Sequence, residues 1–180
     1  MTAIRLAVVV ASVRPERVGE AVARWFCAQV GEGFDIDVVD LATLVLPDAL
    51  DGGGDTDVLA KRIDVADAIV LVTPEYNRGY PGVLKTAIDS LTTPWHAKPV
   101  GFVAYGGVSG GLRAVEQLRP VLAELHAVTL QATVSLPYAW DLPVVDGAVV
   151  PTRGAAAVRE LARQLTWWGS VLRDARPYDP

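Results

Sequence analysis

The segment Ala68-Ile-Val-Leu-Val-Thr-Pro-Glu-Tyr-Asn-Arg-Gly-Tyr-Pro-Gly-Val-Leu-Lys-Thr-Ala-Ile-Asp89 decides how the rest of the chain is read. Its first five residues are apolar and rich in β-branched side chains, the composition of a buried strand. Pro74 cannot donate to a sheet ladder, so the strand ends there. An aromatic (Tyr76), an amide (Asn77), Gly79 and a second proline follow, and a helical pattern opens at Pro81. Residues 75–80 are therefore a loop at the carboxyl end of a strand, where open α/β sheets place their ligands.

Upstream, residues 4–10 read as a first strand, 11–19 as a loop and 20–30 as a helix with Val22, Trp25, Phe26 and Val30 on one face. Cys27 sits beside that stripe and is expected to be a buried or half-buried packing residue. Residues 36–39 form a short second strand. Pro47 and the glycines near 52–55 mark a surface loop, after which Thr56 or Asp57 caps a helix with Val58, Leu59, Ile63 and Ala66 inward. Downstream come a helix over 81–91, a strand over 98–105, a glycine loop over 106–111 and a helix to about residue 126. Pro120 is expected to kink or break that helix. A fifth strand (128–135), an irregular stretch to residue 150 that carries Trp140, and a closing helix (152–174) with a loose tail complete the chain. The irregular stretch is long enough to be functional or interfacial.

Strands alternating with helices predict an α/β three-layer sandwich: five parallel strands in the flavodoxin-like order 2-1-3-4-5, with helices on both faces. The switch point lies between strands one and three, which makes their following loops neighbours. At 180 residues the expectation is one domain over 1–180. Half the residues are hydrophobic, yet no uninterrupted run approaches the ~18 of a membrane span. No signal-peptide pattern precedes the first strand, so a cytoplasmic protein is expected, with no membrane partner. A formal charge of −5 argues against nucleic-acid binding. A single cysteine excludes an internal disulfide, and His96 and His126 are too isolated for a metal site.

Three loops carry chemistry. The first joins Ser12, Arg14 and Arg17 to backbone amides that run into a helix N-terminus near Gly19, a setting that suits a phosphate. The same residues also read as a solvated turn with two surface arginines. Neither a G-x-G-x-x-G after the first strand nor a G-x-x-x-x-G-K-[ST] is present. In the second loop, Glu75, Tyr76 and Asn77 offer a stacking face and an amide to a flat heterocycle; the alternative is a proline-rich turn whose Tyr packs on its own helix. The third loop matches G-x-S-x-G at 107–111, the pattern of a hydrolase elbow. That motif needs an acid and then a histidine downstream; only His126 follows, and Glu116 and Glu124 share its preceding helix. The glycines instead let a backbone approach a ligand closely. Lys85 and Asp89 read as a helix-surface or interface pair, Arg78 as a solvated charge, and Trp167 and Trp168 as one interface and one core residue.

Taken together, these loops resemble the NAD(P)H-dependent FMN reductase family of flavodoxin-like proteins. That family carries a first loop G-S-x-R-x-x-R/S, a PEYN signature leading into P-G-x-L-K-N-A-I-D, and a Gly/Ser-rich loop after the fourth strand. Here they stand as Ala11-Ser-Val-Arg-Pro-Glu-Arg17, Pro74-Glu-Tyr-Asn77 with Pro81 to Asp89, and Gly106-Gly-Val-Ser-Gly-Gly111; Ala11, Glu16 and Thr86 depart from the usual residues. The resemblance implies FMN as cofactor and NADPH or NADH as donor, with a quinone, free flavin or other small acceptor. It implies that Ser12, Arg14 and Arg17, with Val18 and Gly19 behind them, hold the FMN phosphate. Pro74, Glu75, Tyr76, Asn77, Gly106, Gly107, Ser109 and Gly110 would then cradle the isoalloxazine. No side chain need act as acid or base, because the flavin carries the chemistry. The resemblance further implies a homodimer or homotetramer, with the helix after the PEYN loop and Trp95 as interface candidates. An FMN-binding electron carrier without NAD(P)H activity is the alternative reading.

Overall fold

In a computed structural model, which describes residues 2–177, strand β3 (Ala68–Pro74) is buried at all seven positions. Only a central strand of a sheet covered on both faces has that pattern. Its neighbours are β1 (Ile4–Val10) and β4 (Pro99–Gly106), and β2 (Phe34–Asp40) and β5 (Val128–Pro137) form the edges. The order is β2-β1-β3-β4-β5, every pair parallel, as the sequence leads one to expect.

The pleat sends alternate residues to two cores. Leu6, Val8, Val10, Val70, Val72 and Val103 pack against α1 (Gly19–Gln29) and α5 (Ala155–Ala175). Ala7, Val9, Ile69, Leu71 and Phe102 pack against α2 (Thr56–Val65), α3 (Gly82–Asp89) and α4 (Leu112–Glu124). Val22, Trp25, Phe26 and Val30 all lie in the first core. At the amino-terminal edge of the sheet, the buried Asp67 takes three bonds from Arg5, through the backbone N–H, Nε and Nη2, and ion pairs from Arg173 and Arg176. Burial raises the Asp67 pKa, but these donors outweigh it and hold the carboxyl below its ordinary value.

Several local expectations are corrected. Pro120 does not break α4, because Leu118 and Leu122 on either side of it are both anchored in the core. Val58 is 47% exposed, while Leu59, Ile63 and Ala66 are buried. Neither Thr56 nor Asp57 caps α2: the N-cap is Asp55, whose carboxylate instead accepts from the Val45 N–H at 2.8 Å. Trp95 is 2% exposed and its indole N–H donates to the Ile88 carbonyl at 3.1 Å, so it belongs to this chain's own core and not to an interface. The stretch before α5 is not irregular throughout. It folds a small hairpin, β6 (Val144–Val145) and β7 (Ala148–Val149), across Asp146 and Gly147, both at positive φ. Among the described residues no helix is long and apolar enough to cross a membrane. Residues 178–180 of the expected tail lie outside the described residues.

Candidate functional site: a crevice of three loops

Because β1, β3 and β4 are parallel neighbours, their following loops meet at one edge of the sheet. Two hydrogen-bonded contacts join them. The Ser12 hydroxyl, itself buried, lies 2.8 Å from the Tyr76 hydroxyl and ties the first loop to the second. Glu75 ties the second to the third: its carboxylate accepts from the Ser109 hydroxyl at 2.6 Å, the Arg113 N–H at 3.1 Å and Arg113 Nη1 at 2.9 Å. Burial pushes the Glu75 pKa up, but the Ser109 and Arg113 donors prevail and hold it below its ordinary value. Ser109 thus meets a carboxylate where a hydrolase would need an imidazole.

The PEYN loop is a tight hairpin turn. Tyr76 and Gly79 exchange both backbone hydrogen bonds at 2.9 Å, and Asn77 and Arg78 between them have φ of 49° and 71°. Positive φ at both central residues is the requirement of a type I′ turn, which asparagine tolerates well. The Gln117 amide then donates to the Arg78 carbonyl at 3.0 Å and pins the tip to α4. Tyr76 does not pack on its own helix; it faces the first loop, with the Arg14 guanidinium 5.3 Å from its ring centroid.

In the glycine loop, part of the sequence requirement is internal. A Cβ on Gly111 (φ +88°) would meet the Tyr105 N at 2.6 Å and the Ala104 Cβ at 2.7 Å. Gly107 differs, since a Cβ there would touch only the Trp140 ring edge at 3.6 Å. The backbone of Gly106 and Gly107 receives the Tyr138 N–H, which draws the aromatic pair Tyr138 and Trp140 over this loop. Both are largely exposed, and Trp140 lines the crevice. In the sequence, the length of the stretch and the tryptophan within it are the signals for this border.

The first loop and its surroundings enclose a cavity of about 260 Å3, lined by Ser12, Arg14, Arg17, Tyr76, Tyr105 and Trp140 among others. The α1 N-terminus beneath it has Val18 as N-cap and no side-chain cap. Its first amides therefore stand ready for an anion. Arg17 is not an idle surface arginine: Nη2 is paired with both Glu20 and Asp40, while its buried Nε has no partner among the described residues. The Tyr105 hydroxyl is also buried without a hydrogen bond of standard geometry. A buried donor without an acceptor and a poorly satisfied phenol, at an uncapped helix N-terminus, fit the phosphate end of a nucleotide-like cofactor. Arg17's carboxylate partners, Arg113 and Tyr105 are the participants that local sequence reading missed. Among the described residues there is no cluster of three or more His, Cys, Asp or Glu able to hold a metal ion.

The sheet order and the crevice at its switch point define a flavodoxin-like protein. Within that class the chain belongs to the NADPH-dependent FMN reductase family, whose sequence model matches residues 4–141. It is similar to the NAD(P)H-dependent FMN reductase of Schizosaccharomyces pombe, 33% identical over 164 residues, covering 82% of this chain and 79% of that protein. It is also similar to the quinone reductase of Escherichia coli K12, 43% identical over 126 residues, covering 65% of this chain and 64% of that protein. In fold it resembles FerB, the flavoenzyme NAD(P)H:(acceptor) oxidoreductase of Paracoccus denitrificans. That match has a TM-score of 0.78 and 24% identity, over 94% of this chain and 98% of that one.

Proposed function

We propose that this chain is an FMN-dependent NAD(P)H oxidoreductase that delivers electrons to a quinone, free flavin or another small acceptor. Family membership supports FMN and the nicotinamide donor, and the similarity to a quinone reductase supports the acceptor class. The observation that carries the reading is the Ser12–Tyr76 bond, which closes the first two loops into one crevice over the uncapped α1 N-terminus. Bound there, FMN would supply the hydride and electron chemistry.

The chain's own residues bind and orient. Ser12, Arg14, Arg17 and the amides of Val18 and Gly19 receive the phosphate. Pro74, Glu75, Tyr76 and Asn77 on one side, and Gly106, Gly107, Ser109 and Gly110 on the other, frame the ring system. Glu75 and Ser109 act mainly through each other and Arg113, which keeps the two loops in register. Tyr138 and Trp140 offer an exposed aromatic border against which a planar acceptor or nicotinamide can lie. No acid or base is needed from the protein.

The unit spans residues 1–180 and works in the cytoplasm as a homodimer or homotetramer. The exposed Trp167 and Val171, one turn apart on α5, support self-association. The test is NADPH and NADH oxidation with benzoquinone, with and without added FMN. Turnover that depends on both protein and flavin is expected. Oxidation no faster than with free flavin would leave only the electron-carrier reading.

A further inference from the structure

Tyr105, the penultimate residue of β4, is 6% exposed, and its hydroxyl has no hydrogen bond of standard geometry among the described residues. Its ring belongs to the core beneath α1. The phenolic oxygen reaches the first helical residue: a Cβ on Gly19 would lie 2.7 Å from it. It therefore stands directly under the junction of the first loop and the helix, on the wall of the cavity that Ser12, Arg14 and Arg17 also line.

Phenylalanine would fill the same space without burying a hydroxyl that lacks a well-formed hydrogen bond, so the hydroxyl carries a cost that packing does not explain. Ser12, its polar neighbour, is engaged with Tyr76. Arg17 Nε, on the same cavity, lacks an acceptor as well. What the group of donors lacks is an acceptor-rich anion. Burial, reinforced by Tyr76 and only partly offset by Ser12 and Arg17, raises the Tyr105 pKa, so the phenol keeps its proton and remains a donor at neutral pH.

We infer that Tyr105 is a phosphate-binding residue in addition to Ser12, Arg14 and Arg17, donating its phenolic hydrogen to a phosphate oxygen of FMN from the core side of the first loop. The inference rests on the reading that this crevice holds FMN. It implies that part of the preference for FMN over riboflavin is built into the sheet, and that binding relieves an unfavourable group in the free protein.

The test is Tyr105→Phe, with the melting temperature of the flavin-free protein measured beside fluorescence titrations of FMN and riboflavin. The expected result has three parts. The melting temperature is equal to or above wild type, the FMN Kd rises roughly tenfold or more, and the riboflavin Kd is unchanged. An unchanged FMN Kd, or an equal weakening of both flavins, would overturn the inference. So would a lower melting temperature, which would reveal a partner for the hydroxyl in the free protein. If wild type binds no FMN, the cofactor reading falls and takes the inference with it. If wild type binds and the variant binds equally, only the role of Tyr105 falls.

Discussion

The Glu75 carboxylate accepts a 2.6 Å hydrogen bond from the Ser109 hydroxyl, across 34 residues of sequence and between two loops that would otherwise be independent. With Arg113 as its second partner, Glu75 is a brace for the crevice as well as part of its wall. Each loop supplies one half of the proposed flavin cradle, so the brace sets the width of the slot.

Glu75→Gln keeps the shape and removes the charge. It is expected to cost about 1–3 kcal/mol of stability at neutral pH, read by urea unfolding. The Glu75 carboxyl is held below its ordinary value of 4.5, so its contribution is fully present above that pH and is lost as pH falls through the depressed folded value. The stability gap between wild type and Glu75→Gln should therefore close in acid. A gap that stays constant down to the lowest measurable pH would contradict the brace.

Asp67→Asn acts at the opposite edge of the sheet. Leaving the partly exposed Arg5, Arg173 and Arg176 without their buried carboxylate should destabilise the fold by about 1–3 kcal/mol, while the folded fraction binds FMN with unchanged Kd. A matching loss of affinity would mean that the two edges are coupled.

Asp40 competes for Arg17. Asp40→Asn should release part of the guanidinium charge to the proposed phosphate and tighten FMN binding by roughly threefold at low salt, an advantage that shrinks as salt rises. Isothermal calorimetry at two ionic strengths reads both effects. Weaker binding would show that Asp40 orients Arg17 for the ligand.

Arg14→Ala removes the guanidinium that lies over Tyr76, and with it a charge-assisted contact of about 1.5–3 kcal/mol to the phosphate. FMN binding should weaken at least tenfold. Unchanged affinity would make Arg14 a partner of Tyr76 alone.

The layered fold was legible because β3 and β4 are fully buried, and a fully buried parallel strand must be written as an apolar run. The PEYN loop was legible because proline and asparagine answer local backbone demands, whereas its positive-φ turn places Arg78, a residue that does not announce one, at the second central position. The hairpin at 144–149 has a readable local signal, Asp146-Gly147 between apolar pairs. Trp95 was misplaced because its fate rests on tertiary contacts: it is buried, with its indole N–H on Ile88. The Arg17–Asp40 pair spans 23 residues and the Glu75–Arg113 pair 38, distances over which a single sequence carries no pairing information. Tyr105 reads as one more apolar position in a strand, and only the fold brings its hydroxyl under Gly19.

The central claim is that the three-loop crevice holds FMN by its phosphate. A titration of FMN against the wild-type protein, followed by flavin fluorescence with riboflavin alongside, tests it most directly. The account predicts saturable binding of one FMN per chain, with riboflavin weaker by roughly tenfold or more. Equal affinity for the two flavins, or binding of neither, would contradict it.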